Sequence, residues 1–114
     1  MALFGKKNKE QNTGSELKIS VKNEGKEYTF TLEGRLDTLT SPSLEEKINE
    51  VADGAEKLVL DLGALAYISS AGLRVLLGAT QQMEGKGGMV VRNPSQAVRE
   101  VFDLTGFSRL FTIE

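Results

Sequence analysis

The sequence predicts a single α/β domain with a mixed β-sheet, antiparallel at an N-terminal hairpin and otherwise mainly parallel, packed with α-helices. Three observations predict it. Leu58-Val59-Leu60-Asp61-Leu62 is an apolar run broken by one aspartate, which suits a strand buried on both faces. Two earlier stretches alternate apolar and polar residues, and a turn-forming segment separates them. The rest switches between helical and strand periodicity. The order therefore reads strand, strand, helix, strand, helix, strand, helix, strand, with parallel pairing where helices intervene.

Residues 1 to 16 hold Lys6, Lys7 and Lys9 among small and polar residues, with only Leu3 and Phe4 bulky. The apolar part is too short for a signal peptide, so a flexible tail is expected, with the domain over 17–114. Leu17, Ile19 and Val21 then alternate with Lys18, Ser20 and Lys22, and Tyr28, Phe30 and Leu32 alternate with Thr29 and Thr31. Asn23-Glu24-Gly25-Lys26 between them makes the pair a hairpin. Ser41 reads as a helix cap with Pro42 in the first helical position, and Glu45 and Glu46 lie where the dipole favours anions. Leu44, Ile48 and Val51 supply that helix's apolar face, and Gly54 ends it. After the central strand, Leu73, Leu76, Leu77, Thr80 and Met83 follow the helical period. Gly85-Lys86-Gly87-Gly88 is a turn, not a phosphate loop, because no Gly-Lys-Ser/Thr ending precedes a helix. Met89-Val90-Val91 reads as a short buried strand. Asn93 is then expected to cap a helix with Pro94 first and Gln96 in a capping box, Gly106 stops it, and Leu110 to Ile113 form a last strand.

Composition excludes much chemistry. The chain has 114 residues, 39% of them hydrophobic, and a net charge of −2, so neither disorder nor direct nucleic-acid binding is indicated. It has no cysteine and no histidine. That removes disulfides, thiol catalysis, thiolate metal sites, the commonest general base and the commonest transition-metal ligand. No apolar run approaches the ~20 residues that span a bilayer. A soluble, cytoplasmic domain with no membrane partner, no cofactor and no metal is expected.

The chemical centre is the change from strand to helix at Tyr67-Ile68-Ser69-Ser70-Ala71-Gly72. Either serine could cap the helix by accepting a first-turn N–H. Either could also carry a phosphoryl group, which would meet those N–H groups and the positive end of the dipole. These residues, with Leu58 to Leu62 before them and Leu73 after, resemble the STAS domain. In particular they resemble the stand-alone bacterial anti-sigma-factor antagonists. The resemblance runs from about Leu17 to the C-terminus, including Asn93-Pro94-Ser95, Leu104-Thr105-Gly106-Phe107 and the closing Phe111-Thr112-Ile113.

That resemblance implies a phosphorylation-switched binding module. Aligning Ser70-Ala71-Gly72-Leu73 with the family's Ser-x-Gly-Leu places the modified residue on Ser70, with Ser69 as the alternative. Ser69 stands where the family often has Asp. The implied partners are an anti-sigma factor that is itself a serine/threonine kinase, and a serine phosphatase acting on the phosphorylated form. Unmodified, the antagonist binds the kinase and frees the sigma factor, so transcription is regulated. Gly34, Arg35, Leu36 and Asp37 match the family loop near the site. They join Ser69, Ser70, Ala71, Gly72 and Arg74 as the expected partner surface. On composition alone, Arg35 and Asp37 read as ordinary loop charges.

Two other classes compete. An enzyme would need a base for Ser70, yet no histidine exists, Arg74 stays protonated, and Ile68 stands where a nucleophile elbow has glycine. A STAS scaffold or regulatory subunit of another signalling assembly is the second alternative, and oligomeric state stays open. Gly72 is expected to tolerate a Cβ structurally and to serve the approach of a kinase or phosphate. Gly78, further along the helix, is expected to be the glycine that packing requires.

Overall fold

The computed structural model describes residues 16–114. The segment expected to be a flexible tail lies outside the described residues, apart from Glu16. In chain order the elements are β1 (Leu17–Glu24), β2 (Glu27–Leu36), α1 (Ser41–Ala52), β3 (Lys57–Ile68), α2 (Ser70–Gln82), β4 (Met89–Arg92) and α3 (Gln96–Thr105). A 3-10 turn (Phe107–Arg109) and β5 (Thr112–Ile113) follow. The sheet runs β1-β2-β3-β4-β5. Only β1 and β2 are antiparallel, in a register that opens at Leu17 opposite Gly34 and closes at Glu24 opposite Glu27. The remaining neighbours pair in parallel.

The alternation read from the sequence sets which face is core. Phe30 and Leu32 of β2, Leu58, Leu60 and Leu62 of β3, and Met89 and Val91 of β4 join one cluster. Leu44 and Ile48 of α1, Leu73 and Leu76 of α2, and Val98 and Phe102 of α3 complete it. Between them on the strands, Thr29, Val59 and Val90 pair across the opposite face, with Thr31, Asp61 and Arg92 beside them. Val59 is nevertheless fully buried. Phe111 closes the C-terminal side of the core edge-on to Phe102, ring centroids 5.3 Å apart.

Several boundaries differ from expectation, each for a local reason. β3 continues past Leu62 to Ile68, pairing with β2 through two register irregularities that keep Arg35 opposite Tyr67 and Leu36 opposite Ile68. Helix α1 begins at Ser41, not after it. Its N-cap is Thr40, and no side chain caps it. The Ser41 hydroxyl instead donates to the Asp37 carbonyl, and Glu45 and Glu46 fall beyond the first turn. At the other end α1 stops at Ala52, and Lys86 Nζ donates to its carbonyl at 2.8 Å. Helix α3 is capped by Ser95, not Asn93. Ser95 Oγ accepts from Val98 N and donates to the Leu65 carbonyl at 2.6 Å. Asn93 takes the left-handed conformation, φ 55°, that turns the chain out of β4. Only Thr112 and Ile113 of the expected last strand pair, because Phe107–Arg109 wind into the 3-10 turn.

Candidate functional site

The strand-to-helix junction is built by backbone first. β2 and β3 run in parallel and end together, and the Ser69 N–H donates to the Leu36 carbonyl at 2.9 Å. That bond carries the ladder one residue past β3 and places the Asp37 loop beside the start of α2. Ser69 is extended, φ −100° and ψ 176°, and its Oγ accepts from Gly72 N at 3.4 Å. The Ser69 carbonyl already accepts from Leu73 N at 2.9 Å. Ser69 is therefore the cap and Ser70 the first helical residue. Ser69 is half-buried; Ser70 is exposed.

The loop from β2 to α1 is held by its own side chains. Asp37 Oδ1 accepts from Leu39 N at 3.0 Å and from Thr40 N at 3.1 Å. Thr40 Oγ1 accepts from Asp37 N at 2.9 Å and donates to the Arg35 carbonyl at 2.8 Å. Asp37 is buried by this arrangement. It is thus more than an ordinary loop charge: it shapes the loop. Arg35 lies with its guanidinium carbon 4.2 Å from the Tyr67 ring centroid and its Nε 3.6 Å from Asp37 Oδ2. This stacking holds a cation at the mouth of the site.

Leu36, fully buried, contributes to the core and to the Ser69 bond, so its side chain is out of reach of a partner. Gly34 has φ 111°, and a Cβ there would meet the Glu16 carbonyl oxygen at 2.5 Å. The strand packing alone explains that glycine. Gly72 and Gly78 exchange the roles expected of them. A Cβ on Gly72 would lie 2.9 Å from both Ile68 Cγ1 and Leu36 Cγ, whereas one on Gly78 meets nothing within 4 Å. Gly72 is the packing glycine, because α2 starts directly against the ends of β2 and β3.

Ala71 is half-buried and Arg74 exposed. Arg74 and Val75 form one side of a shallow groove of about 320 Å³, facing Thr38, Ser41, Pro42 and Glu45 across the start of α1. Two residues escape sequence reasoning. Leu39, 73% exposed at the tip of the Asp37 loop, and Tyr67, 40% exposed at the end of β3 beneath the Arg35 guanidinium, present apolar surface. An isolated leucine in a polar turn was the available signal for the first. For the second, period two misleads: it puts Tyr67 on the face of the buried Leu65, whereas burial along this end of β3 recurs at Leu62, Leu65 and Ile68.

The junction thus offers one exposed serine hydroxyl at a helix start, two arginines, and apolar surface around them. Among the described residues no cluster of three or more acidic, histidine or cysteine side chains could hold a metal. Among those same residues no helix is long and apolar enough to cross a membrane.

Comparison with known proteins gives a consistent result. The STAS domain family model matches residues 18–114. BtrV of Bordetella bronchiseptica, named as an anti-sigma factor antagonist, is 42% identical over 84 residues, covering 72% of each chain. The crystal structure of an anti-sigma factor antagonist from Mycobacterium paratuberculosis superposes with a TM-score of 0.80 at 27% identity, covering 90% of this chain and 89% of that one. The Bacillus cell fate determinant SpoIIAA in its phosphorylated form has the same fold, with a TM-score of 0.68 at 20% identity, covering 85% and 91%.

Proposed function

Because the chain belongs to the STAS domain family, among the bacterial anti-sigma-factor antagonists, we propose that it is a binding module switched by phosphorylation of Ser70. Its partner in this reading is an anti-sigma factor serine kinase, and a serine phosphatase resets it. The observation that carries the reading is the position of Ser70. It is exposed, it is the first residue of α2, and its hydroxyl is not spent on the cap, which Ser69 supplies. In the transfer, Ser70 Oγ takes the γ-phosphoryl group of ATP, ADP departs, and the hydroxyl proton passes to a base of the kinase. Hydrolysis by the phosphatase returns the hydroxyl and releases inorganic phosphate.

The surroundings favour a switch at the surface over one inside the fold. A phosphate on Ser70 sits where first-turn N–H groups and the helix dipole stabilise a dianion. Ser70 is exposed, and the buried residues of α2 begin with Gly72 and Leu73, so a group added to its hydroxyl extends into solvent and not into the core. The unmodified face, with Arg35 on Tyr67, Leu39 and the groove beside Arg74, is the binding surface. Adding about two negative charges to it changes the surface while leaving the fold intact. Nothing in this scheme requires catalysis by the chain itself.

The test is phosphorylation by the cognate anti-sigma kinase with ATP, read by mass spectrometry, on the unaltered chain and on Ser70→Ala. Ser70→Ala should stay unmodified and retain binding to the kinase, while Ser70→Asp should be captured less well in a pulldown from the source cell. Label that persists in Ser70→Ala and maps to Ser69 would move the site by one residue. No phosphorylation of either form would refute the proposal.

A further inference from the structure

We propose that Arg74 reads the modification state of Ser70: it pairs with a carboxylate of the partner when Ser70 is unmodified, and is taken over by the phosphate when Ser70 is phosphorylated. This deepens the reading of Ser70 as the modified residue and rests on it. Ser70 and Arg74 are one helical turn apart on α2, and both are exposed. Residues so spaced share a helix face, and helical side chains lean toward the N-terminus, so a guanidinium at position 74, which here lines the groove with Ala71, is within reach of a phosphate on Ser70.

Its present surroundings leave it available. Among the described residues the ion pairs are Lys26 with Glu56 and Arg35 with Asp37, and Arg74 has no carboxylate within 4 Å. Glu45 lines the same groove but lies outside that distance. Arg35, the other cation near Ser70, is already committed to the Tyr67 ring and to Asp37. Arg74 thus stands at the rim of the groove with a planar fork of donors, suited to bidentate pairing with a carboxylate or a phosphate.

One guanidinium cannot serve both anions. Phosphate on Ser70 is tethered on the same helix and carries about twice the charge of a carboxylate, so it wins the competition. The partner then loses its counter-ion and faces a dianion in its place. Release follows from a change of partner by a single side chain, with no movement of the backbone. The implied partner surface is acidic where it meets the start of α2.

Two measurements test this, and they separate it from the reading of Ser70 itself. In the first, phosphoserine is incorporated at position 70 during translation, and its second ionisation is followed by ³¹P NMR with and without Arg74→Gln. The substitution should lower the acid dissociation constant of the phosphate twofold or more, because the guanidinium stabilises the dianion; Glu45, Asp37 and Arg35 remain in both proteins. In the second, binding of the unmodified chain to the anti-sigma kinase is measured. Arg74→Gln should weaken it about tenfold, Arg74→Lys should restore only the part that charge alone supplies, and Arg74→Gln should shrink the affinity ratio between unmodified and phosphorylated forms. An unchanged ionisation constant, or an unchanged affinity of the unmodified variant, overturns the proposal. A kinase that does not bind or phosphorylate the chain overturns the reading of Ser70, while the NMR comparison still decides whether Arg74 holds the phosphate.

Discussion

Replacing Gly72 with alanine adds one carbon atom at the tightest point of the junction. That carbon would stand 2.9 Å from Ile68 Cγ1 and Leu36 Cγ and 3.0 Å from Leu36 Cδ2. Comfortable carbon–carbon contact is about 3.5–4.0 Å, so each neighbour must give by roughly half an ångström or more. Neither can do so easily. Leu36 and Ile68 are buried on adjacent strands whose backbones are hydrogen-bonded to each other and to Ser69. Overpacking of this kind costs about 1–3 kcal/mol, against which alanine recovers up to ~1 kcal/mol of helix propensity over glycine. The net expectation is a loss of about 1–2 kcal/mol, or a fall in Tm of roughly 4–10 °C for a domain of this size. Gly78→Ala is the control. It sits in the same helix with open space where its Cβ would go, so it should gain up to ~1 kcal/mol and melt a few degrees higher. Thermal melting of both variants, with Leu36→Ala added to Gly72→Ala in a double-mutant cycle, reads the contact directly. The cycle should show about 0.5–3 kcal/mol of coupling, in the sense that truncating Leu36 relieves the alanine. A Gly72→Ala protein that melts at or above the unaltered chain refutes the packing account.

The two serine caps should differ in weight. Ser69→Ala loses one long bond to Gly72 N and should cost about 0.5 kcal/mol, the low end of the capping range. Ser95→Ala loses a cap and also orphans the Leu65 carbonyl, so urea titration should give about 1–2 kcal/mol or more. Lys86→Met should keep the stem packed but remove the ammonium from the C-terminal carbonyl of α1, lowering stability by about 1 kcal/mol; an unchanged denaturation midpoint would show that water replaces it fully.

Where sequence reasoning succeeded, a period or a turn residue carried the signal. Phe30, Leu32, Leu58, Leu60 and Leu62 alternate with residues of the opposite face, and that alternation is the sheet. Leu73 and Leu76 at helical spacing placed α2 almost to the residue. The failures have a common origin in contacts between elements distant in sequence. Asn93 has the composition of a cap, but its left-handed turn lets Ser95 reach across to the Leu65 carbonyl, and no local pattern encodes that reach. β3 beyond Leu62 passes through Gly63, which falls in a register irregularity, and Ala64, a weak strand former that pairs with Glu33 of β2. Gly72 and Gly78 look alike in a helix. What separates them is Leu36, a residue of β2 brought to the helix start by the fold. At the site, the serine pair at a helix start was legible in the residues, Arg35, Asp37 and Arg74 entered only through the family resemblance, and the exposure of Leu39 and Tyr67 emerged only with the loop's hydrogen bonds in place.

The bond from Ser69 N–H to the Leu36 carbonyl involves no side-chain atom. Together with the Gly72 contact it sets where Ser70 stands, and both belong to the buried frame. The residues that face outward around it, Arg35, Leu39, Tyr67 and Arg74, form no part of that frame. Their identities are therefore free to drift without displacing the hydroxyl. A duplicated copy of such a domain could acquire a new interlocutor through substitutions at those four positions while inheriting the position of its serine unaltered. If the proposed binding face is the one a partner reads, parallel signalling lines insulated from one another can arise in this way, because those outward residues and the bonds that place the serine are separate parts of the structure.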